Sequence, residues 1–364
     1  MSEETNLMPY YNMIADETEL HWFFDHIIQK PALYESYTAV WVSRHKKLTK
    51  EERETLGMTR RESEFLRVET MRPSKIKSTN EESKFTFNKF LQHIKRFNVH
   101  KEAYTTDLGL PLPEKTLAVI FYVNPCSEIK VADRVMEKLE SLKSMILTGV
   151  TNGKDWSDLG QLYQSFGNLD NDIKHFRAQC KGASYYMDFD LDVPDWFRYT
   201  LCTFNSGPDN INQRPYVHLA EGYTKYYKAV KERLDARFGK GNYAIISTSG
   251  GYHILVKACA IKSNPHDFCK EVELIYKRGI YSDGNMPYLS EEDLVTYQKY
   301  LGMEKNASTA MEAAEIYKLK QALVDKNSKF ECIVNDSQIP GLPLPGTYQY
   351  GRPVFVINKE DFED

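Results

Sequence analysis

The stretch YYMDFDLDVPD, residues 185–195, alternates acidic and apolar residues directly behind an aromatic, apolar run. Successive side chains of a β-strand point to opposite faces, so a strand here places three carboxylates on one face and apolar side chains on the other. The carboxylates belong to Asp188, Asp190 and Asp192. This alternation restricts the segment to a strand with one core face and one acidic face.

Neighbouring carboxylates repel one another, and each costs several kcal/mol if it is buried without a partner. The acidic face therefore requires a counter-charge, and a divalent cation is one candidate. Alternate carboxylates lie about 6 to 7 Å apart at Cα, a span that can bridge two metal ions about 3.5 to 4 Å apart. The alternative is a strand that simply runs into an acidic turn at residues 193–195.

The chain of 364 residues, with 41% hydrophobic and 27% charged residues, has the composition of a folded globular protein. It shows neither a secretion signal nor an apolar run of about 18 residues, so we expect no membrane association. Six cysteines without a C-x-x-C motif are typical of reduced thiols, which favours a cytoplasmic location, in the host cytoplasm if the source is viral. Zinc is not expected, because the spacing of His253, Cys259, His266 and Cys269 matches no standard zinc motif.

Positive charge is concentrated in the N-terminal third. Residues 44–101 hold sixteen Lys and Arg against eight Glu and no Asp, although the net charge of the chain is -4. Such a segment could follow a phosphate backbone. The candidate nucleic-acid contacts are Arg44, Lys46, Lys47, Arg60 and Arg61. For residues 47–66, which interleave both signs, the alternative is a solvated helix with paired charges, and it stays open.

A Pro/Gly-rich connector at residues 107–115 predicts a boundary between an N-terminal basic accessory region, 1–112, and a second domain, 113–364. Before the connector, periodicity predicts helices over 17–29 and 83–97 and a strand over 36–48. After it, we expect a strand over 117–125, a helix with Ser127 as N-cap, the acidic strand, a helix over 218–238 and a strand over 242–258. Strands flanking helices indicate an α+β or mixed α/β core.

The stretch IISTSGGYHILV, residues 245–256, interrupts an apolar strand with two glycines, and His253 follows as the strand resumes. Glycines in a strand pattern mark a bend or a close approach of the backbone to a ligand. Backbone N–H groups, the hydroxyls of Ser247 and Ser249, and a ring N–H of His253 could together bind a phosphate. The alternative is a tight hairpin with a hydrogen-bonded histidine.

The order of D-F-D at 188–190 and S-T-S-G-G-Y-H at 247–253 resembles the catalytic signature of the archaeo-eukaryotic primase (AEP) superfamily. The segment IFYVNP at 120–125 is similar to the entry strand of its phage-type members. Residues 330–357 resemble its last core segment, in which a strand with an acidic residue is followed by a Leu-Pro-Gly turn and a closing strand. The resemblance covers about residues 115 to 358 and suggests replication of a phage or other mobile element.

The resemblance implies an α+β AEP primase catalytic core, a mixed, RRM-like β-sheet with flanking helices, behind a mainly helical N-terminal region. It implies a DNA primase or primase-polymerase that uses two Mg²⁺ or Mn²⁺ ions, a single-stranded DNA template, nucleoside triphosphates and a separate helicase. Asp188 and Asp190 would bind the metals, and His253, with Ser247 and Ser249 nearby, would contact the triphosphate. An inactive nucleic-acid-binding module and a carboxylate-metal nuclease are the alternatives.

The last segment departs from the family pattern. Pro343 and Gln349 stand where the family often has Arg before Leu-Pro-Gly and His after it. Arg352 is the candidate for the missing cation at the nucleotide. Glu331 and Asp336 are both candidates for the third carboxylate, and strand alternation puts them on opposite faces. We expect Glu331, because it directly precedes the small apolar strand.

Overall fold

The computed structural model describes residues 10–45, 48–58, 63–73, 85–151, 167–192, 221–249, 251–272, 291–327, 331–335 and 339–362. The chain divides into two compact units. Unit 1 comprises Met1–Met187 and Asn335–Val356, and unit 2 comprises Asp188–Val334 and Ile357–Asp364. The boundary expected at residues 112 and 113 falls inside unit 1.

The helices are α1 (Glu17–His26), α2 (Lys50–Leu56), α3 (Phe87–Lys95), α4 (Glu128–Thr151), α5 (Leu169–Gln179), α6 (Glu221–Phe238), α7 (265–272), α8 (Glu291–Lys305) and α9 (Ala310–Asn327). The strands of the first half are β1 (Tyr10–Tyr11), β2 (Glu35–Arg44), β3 (Ser63–Met71), β4 (Val99–His100), β5 (Leu117–Ser127) and β6 (Tyr186–Asp192). Those of the second half are β7 (Tyr243–Ser247), β8 (Gly251–Lys257), β9 (Glu331–Asn335), β10 (Gly341–Pro343), β11 (Tyr348–Gln349), β12 (Arg352–Pro353) and β13 (Phe355–Val356).

Unit 1 is built on an antiparallel sheet with the strand order β12-β11-β5-β2-β3, and β10 also pairs with β5. Strands β1 and β4 form a separate antiparallel pair. The central strand β2 is buried on both faces, which explains the unbroken apolar run from Ala39 to Val42. On one face the ring of Phe121 packs against Tyr37, Phe23 and Phe90, with centroids 5.5, 6.1 and 5.8 Å away.

Helix α1 begins where the sequence predicts, because Asp16 caps it. The Asp16 carboxylate accepts hydrogen bonds from the backbone N–H of Thr18 at 2.8 Å and of Glu19 at 3.2 Å. Gly346, in the Leu-Pro-Gly turn, fits against this helix start. Its φ is 83°, and an added Cβ would lie 2.6 Å from the Asp16 carbonyl oxygen. The glycine of that turn is therefore required by a left-handed conformation and a close backbone approach.

The α+β class predicted from the sequence is confirmed. The expected mainly helical N-terminal region is not what the described residues show, since residues 1–112 also contribute β2 and β3, two long paired strands. The capped helix α2 ends at Gly57, so the predicted solvated helix occupies the first part of the basic stretch. Beyond it, residues 63–71 form β3, whose Glu69 pairs with His93 of α3 and with Arg96 directly after α3.

Unit 2 contains a sheet in which β7, β8, β6 and β9 are neighbours in that order. β7 and β8 form an antiparallel hairpin in which Ile246 lies opposite His253. The core packs behind this sheet, where Phe189 of β6 contacts Phe268 of α7 at 5.0 Å and Phe238 of α6 at 6.3 Å between ring centroids. In the described part of the chain, no helix is long and apolar enough to cross a bilayer.

Candidate active site

Strand β6 has the two faces that the sequence predicts. Phe189 and Leu191 are 0% and 2% exposed and point into the core. On the opposite face, burial decreases along the strand: Asp188 is buried, the Asp190 side chain is 48% exposed, and Asp192 is exposed. The exposure of the carboxylates therefore increases along the strand, from Asp188 in the protein interior to Asp192 in solvent.

His253 lies on the neighbouring strand β8 and is itself buried. Its ring Nδ1 is 2.9 Å from one oxygen of Asp188 and 3.1 Å from the other. Its ring Nε2 is 3.5 Å from an oxygen of Asp190, longer than an ordinary hydrogen bond. Both nitrogens of one imidazole therefore face carboxylates that stand two residues apart on β6.

This arrangement determines the charge of the ring. Burial alone would lower the pKa of His253, but the charge of Asp188, the hydrogen bond to it, and the charges of Asp190 and Asp192 together raise that pKa to about 9. Near neutral pH the ring is thus a protonated imidazolium with two N–H donors. His253 thus supplies the counter-charge that the buried Asp188 requires. The sequence did not reveal this pairing.

Strands β7 and β8 form an antiparallel hairpin across the Ser-Thr-Ser-Gly-Gly segment, of which Gly250 lies outside the described residues. The backbone N–H of Thr248 donates to the carbonyl of Gly251 at 2.9 Å, and Gly251 has a φ of 153°, which side chains with a Cβ rarely adopt. Ser247 ends β7, and Ser249 lies in the turn and is 7% exposed. The sequence allowed either a phosphate-binding loop or a tight hairpin here, and the described backbone forms a hairpin. Both serines lie within six residues of His253 in the same hairpin.

Strand β9, which follows β6 in the sheet, carries the segment of the candidate third carboxylate. Cys332 and Val334 are buried and Ile333 is 49% exposed, so the predicted alternation of this strand is confirmed. Glu331 is the first residue of β9. Asp336 lies outside the described residues, and the choice of Glu331 stays a prediction.

The remaining candidate residues belong to unit 1 or lie outside the described ranges. Arg352 begins β12, and Arg44 ends β2, where its charge lies close to the phenols of Tyr122 and Tyr350. The four other basic candidates fall outside the described residues. They are Lys46, Lys47, Arg60 and Arg61.

The oxygen donors of the acidic strand have the chemistry that Mg²⁺ and Mn²⁺ prefer. Within the described ranges, no group of three or more His, Cys, Asp or Glu side chains is placed to hold a metal ion. Asp188 and Asp190 nevertheless fit such an ion as a pair, because a carboxylate has about four lone-pair sites and can accept from His253 while it coordinates. A third ligand is needed, and Glu331 on the adjacent strand is the candidate.

Asn124, in the Asn-Pro segment of β5, has a role that its sequence position did not reveal. It is 2% exposed; its amide Nδ2 donates to the carbonyl of Tyr186 at 2.7 Å, and its Oδ1 accepts from the backbone N–H groups of Tyr185 and Tyr186, both at 2.9 Å. This side chain acts as a backbone surrogate that fixes the first residues of β6. Asn-Pro in an otherwise apolar strand was the sequence signal for such a role.

Comparison with known proteins identifies no family. No protein-family model matches the chain, and searches of curated proteins and of solved structures find no significant match. The assignment of a function therefore depends on the geometry of the Asp188–His253–Asp190 group and on the sequence motifs around it.

Proposed function

We propose that this chain is a DNA primase or primase-polymerase, a nucleotidyltransferase that makes or extends primers on a single-stranded DNA template, with its reaction centre at Asp188, Asp190 and His253. The observation that carries the proposal is the convergence of these three side chains across two neighbouring strands, within 2.9 to 3.5 Å of one imidazole. The D-x-D and Ser-Gly-Gly-x-His motifs, 59 to 65 positions apart in the chain, would supply one combined site.

The burial of each of the three side chains suggests its role in the reaction. Asp188 is 3% exposed and holds the ring through Nδ1, so it is the residue that orients His253. Asp190 is half-exposed, which makes its carboxylate the one that an incoming ligand reaches first. The Nε2–H of His253 makes the longer contact and is therefore the donor that can turn to a triphosphate oxygen.

Two divalent ions, Mg²⁺ or Mn²⁺, are the cofactors of the proposed reaction, held by Asp188, Asp190 and Glu331. When bound, such ions lower the pKa of an attacking 3′-hydroxyl and stabilise the departing pyrophosphate. The contribution of the chain is to hold the carboxylates in place and to keep a fixed positive charge, the imidazolium, beside the position of the triphosphate. Ser247, Ser249 and Arg352 are the further candidates for nucleotide contacts.

The proposed partners follow from the reaction. A single-stranded DNA template and nucleoside triphosphates are its substrates, and a separate replicative helicase would supply the unwound template. Such a protein works in the cytoplasm, in the host cytoplasm if the source is viral. The basic N-terminal third, with its excess of eight positive charges, is the part of the chain that suits the template.

One observation favours a second function, an accessory single-stranded nucleic-acid-binding module without catalysis. His253 already supplies the counter-charge that Asp188 needs, so the buried carboxylate of the acidic strand is paired without a metal ion. In that case the Asp188–His253 pair would be a structural contact, and the protein would bind a strand without extending it.

A primer-synthesis assay separates the two functions. Unprimed single-stranded DNA is incubated with the protein, with Mg²⁺ or Mn²⁺, and with labelled ATP or dATP in parallel reactions. The primase proposal expects labelled products longer than a dinucleotide that require the metal ion and the template. Binding of the template without any incorporation under every metal and nucleotide condition would favour the accessory module.

A further inference from the structure

A second charged cluster lies in unit 1, on strand β3 and helix α3, and is centred on Glu69. The Glu69 side chain is 7% exposed, and its two oxygens accept from Arg67 Nε at 2.9 Å and from Arg96 Nη1 at 3.0 Å. His93 Nδ1 donates to the same carboxylate at 3.0 Å. Burial alone would raise the pKa of Glu69, but hydrogen bonds from His93, Arg96 and Arg67 lower it, so the carboxylate is ionised near neutral pH.

The cluster holds more positive than negative charge. Two guanidinium groups share one carboxylate, which leaves a formal charge of +1 with His93 neutral and +2 with it protonated. Arg67 also donates through Nη1 to the carbonyl of Arg96 at 2.9 Å, so both guanidiniums are held in fixed positions. Among the contacts of the described residues, Arg67 Nη2 and Arg96 Nε and Nη2 have no hydrogen-bond partner. These donors are accessible, since the two side chains are 36% and 54% exposed.

We propose that Arg67 and Arg96, positioned by Glu69, form a binding surface for the phosphodiester backbone of a nucleic acid. Fixed guanidinium donors with a net positive charge match phosphate oxygens in geometry and charge. The surface lies at the edge strand β3 within the segment of residues 44–101 that carries the excess positive charge. The neighbouring exposed cations are already paired with carboxylates, Lys95 with Glu17 at 2.7 Å and Arg72 with Glu128 at 3.2 Å, so the surface consists of Arg67 and Arg96. The excess of positive charge over residues 44–101 fits a repeating polyanion better than a single anion.

These residues differ from those that the sequence suggested as nucleic-acid contacts. A buried carboxylate in a basic segment would ordinarily weaken phosphate binding. Here the carboxylate of Glu69 orders two guanidinium groups, and the cluster keeps a net positive charge. The inference does not rest on the proposed chemistry, since binding can be measured without nucleotides and without divalent ions.

The test compares two neighbouring substitutions with the same change of charge. Binding of the full chain to fluorescently labelled single-stranded oligo(dT) is followed by anisotropy in EDTA over a KCl titration. Arg96→Gln should weaken binding and make the slope of log affinity against log salt shallower by about 0.7, the value for one phosphate contact on a single strand. Lys95→Gln, whose ammonium is engaged by Glu17 at 2.7 Å, should change the slope far less. Arg96→Lys should keep most of the slope, because it keeps the charge.

Three results would overturn the inference. The first is an Arg96→Gln protein, folded by circular dichroism, that binds with the wild-type affinity and slope, because Arg67 and Arg96 would then only tie α3 to β3. The second is an equal loss in Arg96→Gln and Lys95→Gln, which would show a diffuse charge effect. The third is displacement of the oligonucleotide by inorganic phosphate beyond the effect of KCl at equal ionic strength, which would indicate a site for a single anion.

Discussion

The buried imidazolium of His253 makes the stability of the protein depend on pH, and His253→Gln removes that dependence. The pKa of this ring is about 9 in the folded protein and 6.5 for an ordinary histidine. At about 1.4 kcal/mol per pH unit, the difference corresponds to about 3 kcal/mol of stabilisation. Because the folded-state pKa is the higher one, this stabilisation is fully present below pH 6.5 and is lost as the pH rises through about 9.

The assay is urea unfolding of the full chain in EDTA, from about pH 6 to about pH 10. The wild type should lose about 3 kcal/mol relative to His253→Gln over this range. His21→Gln is the matched control, because His21 is 54% exposed and contacts Asp25 at 3.4 Å on the surface of α1. That variant should follow the wild type at every pH. A difference between wild type and His253→Gln that does not change with pH would refute the reasoning, as would an NMR titration of the His253 ring with a midpoint near 6.5.

Two further predictions concern the Leu-Pro-Gly turn and the third carboxylate. Gly346→Ala should destabilise the protein by about 2 to 4 kcal/mol in thermal unfolding, since the new Cβ would clash with the Asp16 carbonyl and the backbone is left-handed there. Gly109→Ala, with a φ of 74° but nothing within 4 Å, should cost only about 1 kcal/mol, and equal losses would contradict the steric argument. Glu331→Gln should abolish metal-dependent nucleotide incorporation while Asp336→Asn retains it, and the reverse outcome would assign the third ligand to Asp336.

Local patterns in the sequence predicted the elements whose burial follows a simple period. The alternation on β6 placed Phe189 in the core and Asp190 outside it, and the helix predicted over 17–29 is α1, Glu17–His26. Strand β3 was not predicted, because residues 47–66, with interleaved charges of both signs, fit a solvated helix. Glu69 of this strand pairs with His93 and Arg96, and a sequence does not show a tertiary partner 24 or 27 residues away.

The candidate site was predicted in its residues but not in its electrostatics. Asp188 and His253 are 65 residues apart, and they meet because β8 and β6 are neighbours in the sheet. That order depends on long-range strand pairing, which the local pattern does not encode. The need for a counter-charge was a correct physical argument from the sequence, whereas the identity of the partner required the structure.

The most direct test of the central claim is nucleotide incorporation by Asp190→Asn compared with Asp192→Asn. Both changes remove one negative charge from the same face of β6, but only Asp190 lies beside His253, at 3.5 Å. Asp188 is less suitable for this test, because its loss would leave a buried His253 without its main partner. We predict that Asp190→Asn abolishes template-dependent primer synthesis while Asp192→Asn retains most of it. Primer synthesis at the wild-type rate in Asp190→Asn, or equal loss in both variants, would contradict the assignment of this group as the reaction centre.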